Sequence, residues 1–187
     1  MKIHPDKLFL PDFVMLQKIE HNALIPFIQT YLRKKTYSSL FYILANLIIF
    51  LSSVVTIFFY VRSGNISIPD SLSHFAYGIA LSFLLIPLHE YIHVLAYKML
   101  GAKYTSYDVN LKKFYFLAIA DRFVANRSEF TIVALAPFVI ITLGTPIMIC
   151  LTPLLWKLIF FGGLFTHTAC CSGDFGFLSY FEYHKKK

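Results

Sequence analysis

Four stretches of this chain are each long and apolar enough to cross a lipid bilayer, which takes about 20 residues at a rise of about 1.5 Å per residue. They cover residues 38–61, 74–100, 130–152 and roughly 154–175. The first and third contain no charged side chain at all. With 57% hydrophobic and only 14% charged residues, the chain lacks the polar surface to cover these runs in water. Disorder is excluded as well, because 20 Phe and 12 Tyr supply the apolar area that disordered chains lack. The expected fold is an all-α polytopic membrane protein of about four transmembrane helices, occupying residues 38–180 as a single domain.

The basic excess of +7 would suggest a nucleic-acid partner in a soluble protein, so the placement of the charges decides its meaning. The N-terminal segment 1–37 carries Lys2, Lys7, Lys18, Arg33, Lys34 and Lys35. The 101–128 loop carries Lys103, Lys112, Lys113, Arg122 and Arg127, and the tail 181–187 carries Lys185, Lys186 and Lys187. With Lys98 at the inner end of the second span, these face one side, leaving only Arg62 and Lys157 for the other. This asymmetry predicts a multi-pass protein of the plasma membrane with both termini cytoplasmic, and it removes the case for nucleic acid. No cleavable signal peptide is expected, since the first apolar run begins late and prolines 5, 11 and 26 interrupt what precedes it. Cys150, Cys170 and Cys171 lie in or beside apolar runs and imply no disulfide framework.

Before the first span, Phe13, Val14, Leu16 and Ile19, then Leu24, Phe27 and Ile28, fit short helices lying on the inner membrane surface. Lys18, Arg33, Lys34 and Lys35 would then face lipid phosphates. Between the second and third spans, residues 104–120 are rich in Tyr, Phe, Val and Ile around the polar centre Asn110-Leu111-Lys112-Lys113. This pattern predicts a small cytoplasmic β-hairpin. Gly101 suits the residue that ends the second helix. Tyr60, Trp156 and Tyr180 are expected in the interfacial aromatic belt.

The second span carries the sequence His89-Glu90-Tyr91-Ile92-His93. On a helix, residues four apart share a face, so both imidazoles can address one ion while Glu90 flanks it. Such a pair leaves a zinc ion open to one more protein ligand and to water, and a neighbouring carboxylate serves as general base. A Glu in mid-span costs about 2.5–3.5 kcal/mol on insertion scales, which disfavours an idle one. Pro87, two residues upstream, is positioned to kink the helix beside the motif.

A third ligand should come from another segment, and Asp174 in the fourth span is the best candidate, lying at a similar depth with Gly173 and Gly176 to loosen its helix. His167, Cys170 and Cys171 are rivals. In a regular helix His167 lies roughly 10 Å along the axis from Asp174, so the two do not easily share an ion. His167 then reads as a polar contact between helices or the wall of a wet cavity. The two cysteines read as small buried hydrophobes.

Taken together, the His-Glu-Tyr-Ile-His motif in one apolar helix, a short strand-rich loop, Ala-Pro-Phe at residues 136–138 and Ser-Gly-Asp at residues 172–174 resemble the zincin-type membrane peptidases of a bacterial family. More distantly they resemble the three-helix core of site-2 proteases. The resemblance covers roughly residues 74–180. It implies His89, His93 and Asp174 as Zn²⁺ ligands and Glu90 as catalytic base. It departs from the site-2 pattern in that Gly173 precedes Asp174 and Phe175 follows it.

The function expected from these readings is intramembrane zinc proteolysis, with a membrane-protein or peptide substrate bound in the lipid bilayer. The hairpin could hold an unwound substrate as an added strand. A zinc hydrolase of a lipid or small amphiphile, and a non-catalytic scaffold or metal-handling protein, are the alternatives.

Overall fold

The computed structural model describes residues 3, 5–20, 23–110 and 115–185. After a short 3₁₀ turn at Pro5–Phe9, the helices are α1 (Leu24–Leu32), α2 (Tyr37–Arg62), α3 (Ile68–Leu81) and α4 (Leu85–Met99). A hairpin of β1 (Tyr104–Asn110) and β2 (Tyr115–Asp121) follows, then α5 (Arg127–Leu151), α6 (Leu154–Cys170) and α7 (Ser172–Lys185).

Three helical stretches are long and apolar enough to span a membrane: α2, α5, and α6 running on through α7. Helices α3 and α4 qualify as a fourth only if the bent pair counts as one span. These three to four apolar helices are compatible with a multi-pass membrane protein. The outward direction of their side chains agrees: on α2, Ile48, Phe58 and Phe59 are 62%, 57% and 64% exposed. Soluble monomers rarely expose an apolar face of this extent.

The second expected span is not one helix. Its helix begins earlier, at Ile68, and bends by 44° between α3 and α4, around a 3₁₀ turn at Ser82–Leu84. Pro87 explains the place of the break. It lies in the first turn of α4, where its missing N–H costs nothing, while its ring excludes a regular helix through the carbonyl four residues back. The fourth expected span also runs further, to Lys185, with α6 and α7 joined at Cys171.

Two capping boxes fix helix starts near one another. Thr36 and Ser39 exchange hydrogen bonds at the head of α2, and Asn126 and Glu129 do so at the head of α5. Glu182 of α7 accepts from the Ser38 amide at 3.1 Å and the Ser38 hydroxyl at 2.8 Å, tying the start of α2 to the last helix. The buried core lies between α5 and the α6–α7 junction and comprises Ala134, Phe138, Cys171, Phe175 and Leu178, with Tyr42 and Ala45 of α2 packed against it.

The N-terminal expectation is met only in part. Residues 13–20 form no helix; a stretch this short, following Pro11, does not repay the cost of nucleation. Helix α1 does form, but its apolar face turns inward: Phe27 is buried against Phe177 and Tyr180 of α7. Tyr180 packs in this aromatic cluster, and Lys34 lies 5.0 Å from the Tyr183 ring centre. The hairpin matches its expected position, with Tyr104 paired to Asp121 and Asn110 to Tyr115. Its expected polar turn at Leu111, Lys112 and Lys113, and the tail residues Lys186 and Lys187, lie outside the described residues. Gly101, at φ 96°, ends α4 as expected.

Candidate metal centre

Helix α4 presents His89 and His93 on one face, with ring centres 4.8 Å apart. Their Nε2 atoms stand 3.1 Å from each other. The Asp174 carboxylate closes the third side, one oxygen 3.3 Å from His89 Nε2 and the other 3.2 Å from His93 Nε2. Residues separated by some eighty positions in sequence thus meet through side-chain atoms at one point.

Asp174 reaches this point because the chain changes helix just before it. Helix α6 stops at Cys170 and α7 begins at Ser172, so Asp174 sits in the first turn of a new helix and not at the end of an old one. His167, on α6, reaches the opposite edge of the same imidazole, its Nε2 lying 3.3 Å from His89 Nδ1. His167 and Asp174 therefore address different nitrogens of His89, and the polar contact between helices expected for His167 is present. Its own Nδ1 is buried with no hydrogen-bond partner among the described residues. Cys171 is fully buried in the core, whereas Cys170 is exposed. The glycines beside Asp174 do not loosen the helix. Gly176 makes room for α1, since a methyl group there would meet Ile28 at 2.9 Å.

The far side of His93 is held by backbone. Its Nδ1 lies 2.9 Å from the Val133 carbonyl on α5. A carbonyl only accepts, so Nδ1 carries the hydrogen, and in the neutral ring this leaves Nε2, on the side of Asp174, as the nitrogen free to ligate. Val133 has a carbonyl to offer because the residue four positions on, which would normally donate to it within the helix, is Pro137 and has no N–H.

Glu90 stands beside the pair, with a carboxylate oxygen, His89 and His93 nitrogens all within 4.8 Å of one another. Its other contact is with the hairpin: the Ala118 amide on β2 donates to Glu90 Oε2 at 2.7 Å. An amide that donates out of the β1–β2 pair shows that the outer edge of β2 faces this carboxylate.

The sequence matches the model of a family described as "Putative zincin peptidase" over residues 82–187, more than half of the chain. The chain belongs to this family. No curated protein and no solved structure matches it. Membership in the zincin family suggests a metallopeptidase and implies zinc.

The donor set fits that ion. Four donors held tetrahedrally at about 2.0–2.1 Å from zinc stand about 3.3–3.4 Å apart along each edge. The separations here of 3.1, 3.2 and 3.3 Å are close to this spacing. The chemistry fits as well, because two imidazole nitrogens and a carboxylate, all electron-rich, converge where a cation would relieve their mutual repulsion.

The residues that converge here include His89, Glu90, His93 and Asp174, the four that the sequence singles out as candidates. It does not single out the supporting groups Val133 and Ala118, since each acts through its backbone. For Val133 the signal was nonetheless present: a proline four residues downstream marks a freed carbonyl. For Ala118 no signal exists short of knowing which hairpin edge faces α4.

Proposed function

We propose that this protein is an intramembrane zinc metallopeptidase that hydrolyses a peptide bond in or next to a membrane-spanning segment of another protein. The observation that carries the reading is the convergence of His89, His93 and Asp174 at 3.1–3.3 Å with Glu90 beside them, within a bundle whose outer faces are apolar. In this reading the protein is a relative in kind of the site-2 proteases, set in the plasma membrane with both termini cytoplasmic. His89, His93 and Asp174 are its metal ligands.

Zinc held by these three side chains would supply a Lewis acid to polarise the scissile carbonyl and help an attacking water lose a proton near neutrality. Glu90 is the group placed to take that proton and to return it to the departing amine. His93 is kept in the ligating tautomer by Val133, which spares the site the cost of reorienting it. The outer edge of β2 offers backbone groups to an extended substrate: Phe116 and Ala120, two residues either side of Ala118, turn their N–H and C=O to the same edge. A substrate helix unwound at its end can pair there as an extra strand, which delivers its backbone to Glu90 and supports a peptide over a lipid as substrate.

The test is cleavage of a membrane-anchored peptide reporter by the purified full chain in lipid vesicles, together with its zinc content. Glu90→Gln is expected to retain zinc and lose cleavage by about 10²-fold or more, the lower range for a removed general base. Undiminished cleavage in that variant would remove the mechanism. Zinc-dependent hydrolysis of phospholipid with the reporter left intact would move the substrate class to lipid.

A further inference from the structure

His89 has two ring nitrogens, and the structure gives each a different set of ligating neighbours. Nε2 faces His93 and Asp174, the set described above. Nδ1 faces His167 Nε2 at 3.3 Å, and His167 Nε2 in turn lies 3.9 Å from Cys171 Sγ. One donor atom from each of His89, His167 and Cys171 lies within 4.8 Å of the others. We propose that His89, His167 and Cys171 form a second metal site, selective for a soft ion, which shares His89 end to end with the peptidase site and inhibits it when filled.

The donor set decides the class of ion. Two imidazole nitrogens and a thiolate favour soft or borderline ions such as Cu⁺, Cd²⁺ and excess Zn²⁺, and disfavour Mg²⁺ and Ca²⁺, which require oxygen. The three residues come from only two elements: His89 from α4, and His167 and Cys171 from the last turn of α6 and the residue that ends it. His167 and Cys171 are four apart, one helical turn, and so present neighbouring donors without any change of backbone. Cys171 is fully buried, and its thiol donates to the His167 carbonyl at 3.3 Å. Binding of a divalent ion replaces two protons, one from the Cys171 thiol and one from the far nitrogen of His89, so the site is filled with release of two protons and no redox change.

The consequence for function follows from the shared ring. An ion on Nδ1 takes the hydrogen-bond position that orients His89 and places a second positive charge across one imidazole from the first ion. Activity should therefore pass through a maximum as metal is added and fall at higher concentration.

This inference shares His89 with the peptidase reading, and the experiment separates them. The purified full chain in detergent is titrated with Cd²⁺ alone, following bound cadmium by elemental analysis and thiolate-to-cadmium charge transfer in the ultraviolet. The wild type is expected to bind two equivalents, with the sulfur band developing on one of them. Cys170→Ser should behave as wild type. Cys171→Ser should bind one equivalent and show no band, and His167→Asn, which leaves the buried sulfur in place, should likewise lose the second equivalent. Asp174→Asn should lose the other equivalent yet keep the band. A single equivalent without a sulfur band in the wild type, or a band that survives in Cys171→Ser, overturns the second site and leaves the peptidase site untouched. Wild-type binding that Asp174→Asn does not alter counts against the peptidase site and leaves this one standing.

Discussion

Pro137 sets the orientation of His93 without touching the metal position, because the carbonyl that fixes His93 Nδ1 belongs to Val133, four residues before the proline. In a helix that carbonyl would be occupied by the amide of residue 137. Pro137→Ala supplies that amide and makes it a competitor for the Val133 oxygen. Since a carbonyl has two lone pairs, His93 is weakened and not released, so zinc affinity should fall by about 10-fold, the low end for loss of a ligand-orienting partner. Competition against a calibrated zinc chelator measures this. An unchanged affinity would mean that Pro137 only shapes the helix.

Glu90 also holds the hairpin, through the Ala118 amide at 2.7 Å. A hydrogen bond to a charged group contributes about 1.5–3 kcal/mol, so its removal should raise exchange of the Ala118 amide roughly 10- to 100-fold. Glu90→Leu is expected to show this increase, and Glu90→Gln, whose amide oxygen still accepts, a much smaller one. Both should be inactive as peptidases. Hydrogen exchange read at 115–121 by mass spectrometry separates the anchoring role from the chemical one. Equal protection in the two variants would show that the hairpin is held by its packing on α4 alone.

What could be read from sequence follows from which forces act locally. Apolar run length placed α2 and α5 within a few residues, because each run is unbroken and the capping residues Thr36 and Asn126 stand just before it. The His89/His93 pair was legible because a spacing of four is a fixed direction on a helix. The bend at Ser82–Leu84 was placed too late, since a proline distorts the turn before it and not its own. The inward turn of Phe27 was invisible because an amphipathic helix shows the same periodicity whether it meets lipid or α7. The break at Cys171, which lets His167 and Asp174 reach opposite nitrogens of His89, had no marker stronger than the small residues that follow it.

Asp174 and His93 should be equally necessary to hold zinc. Each contributes one of three protein donors, and a catalytic zinc site with only two falls well below the usual complement. The full chain purified without chelator is expected to carry near-stoichiometric zinc, and His93→Ala and Asp174→Ala to carry almost none. Zinc lost with His93 but retained with Asp174→Ala would transfer the third ligand to another residue, and the cadmium titration of His167 and Cys171 would identify it.

The crossing of α3 and α6 depends on the absence of two methyl groups. A Cβ at Gly78 would collide with the Ile159 carbonyl, and one at Gly162 with the Phe75 carbonyl. Both obstacles are backbone and cannot swing aside, so each Gly→Ala change forces the helices apart and should cost about 1–3 kcal/mol. Because α6 carries His167 while α3 leads into the helix of His89, the separation should also weaken the His89–His167 contact at 3.3 Å. Gly144→Ala on α5 is the control, since nothing lies within 4 Å of its added methyl and a helix interior favours Ala by about 1 kcal/mol. Thermal unfolding in detergent should therefore show Gly78→Ala and Gly162→Ala below the wild type and Gly144→Ala at or above it. Wild-type stability in both α3–α6 variants would show that the two helices do not approach this closely.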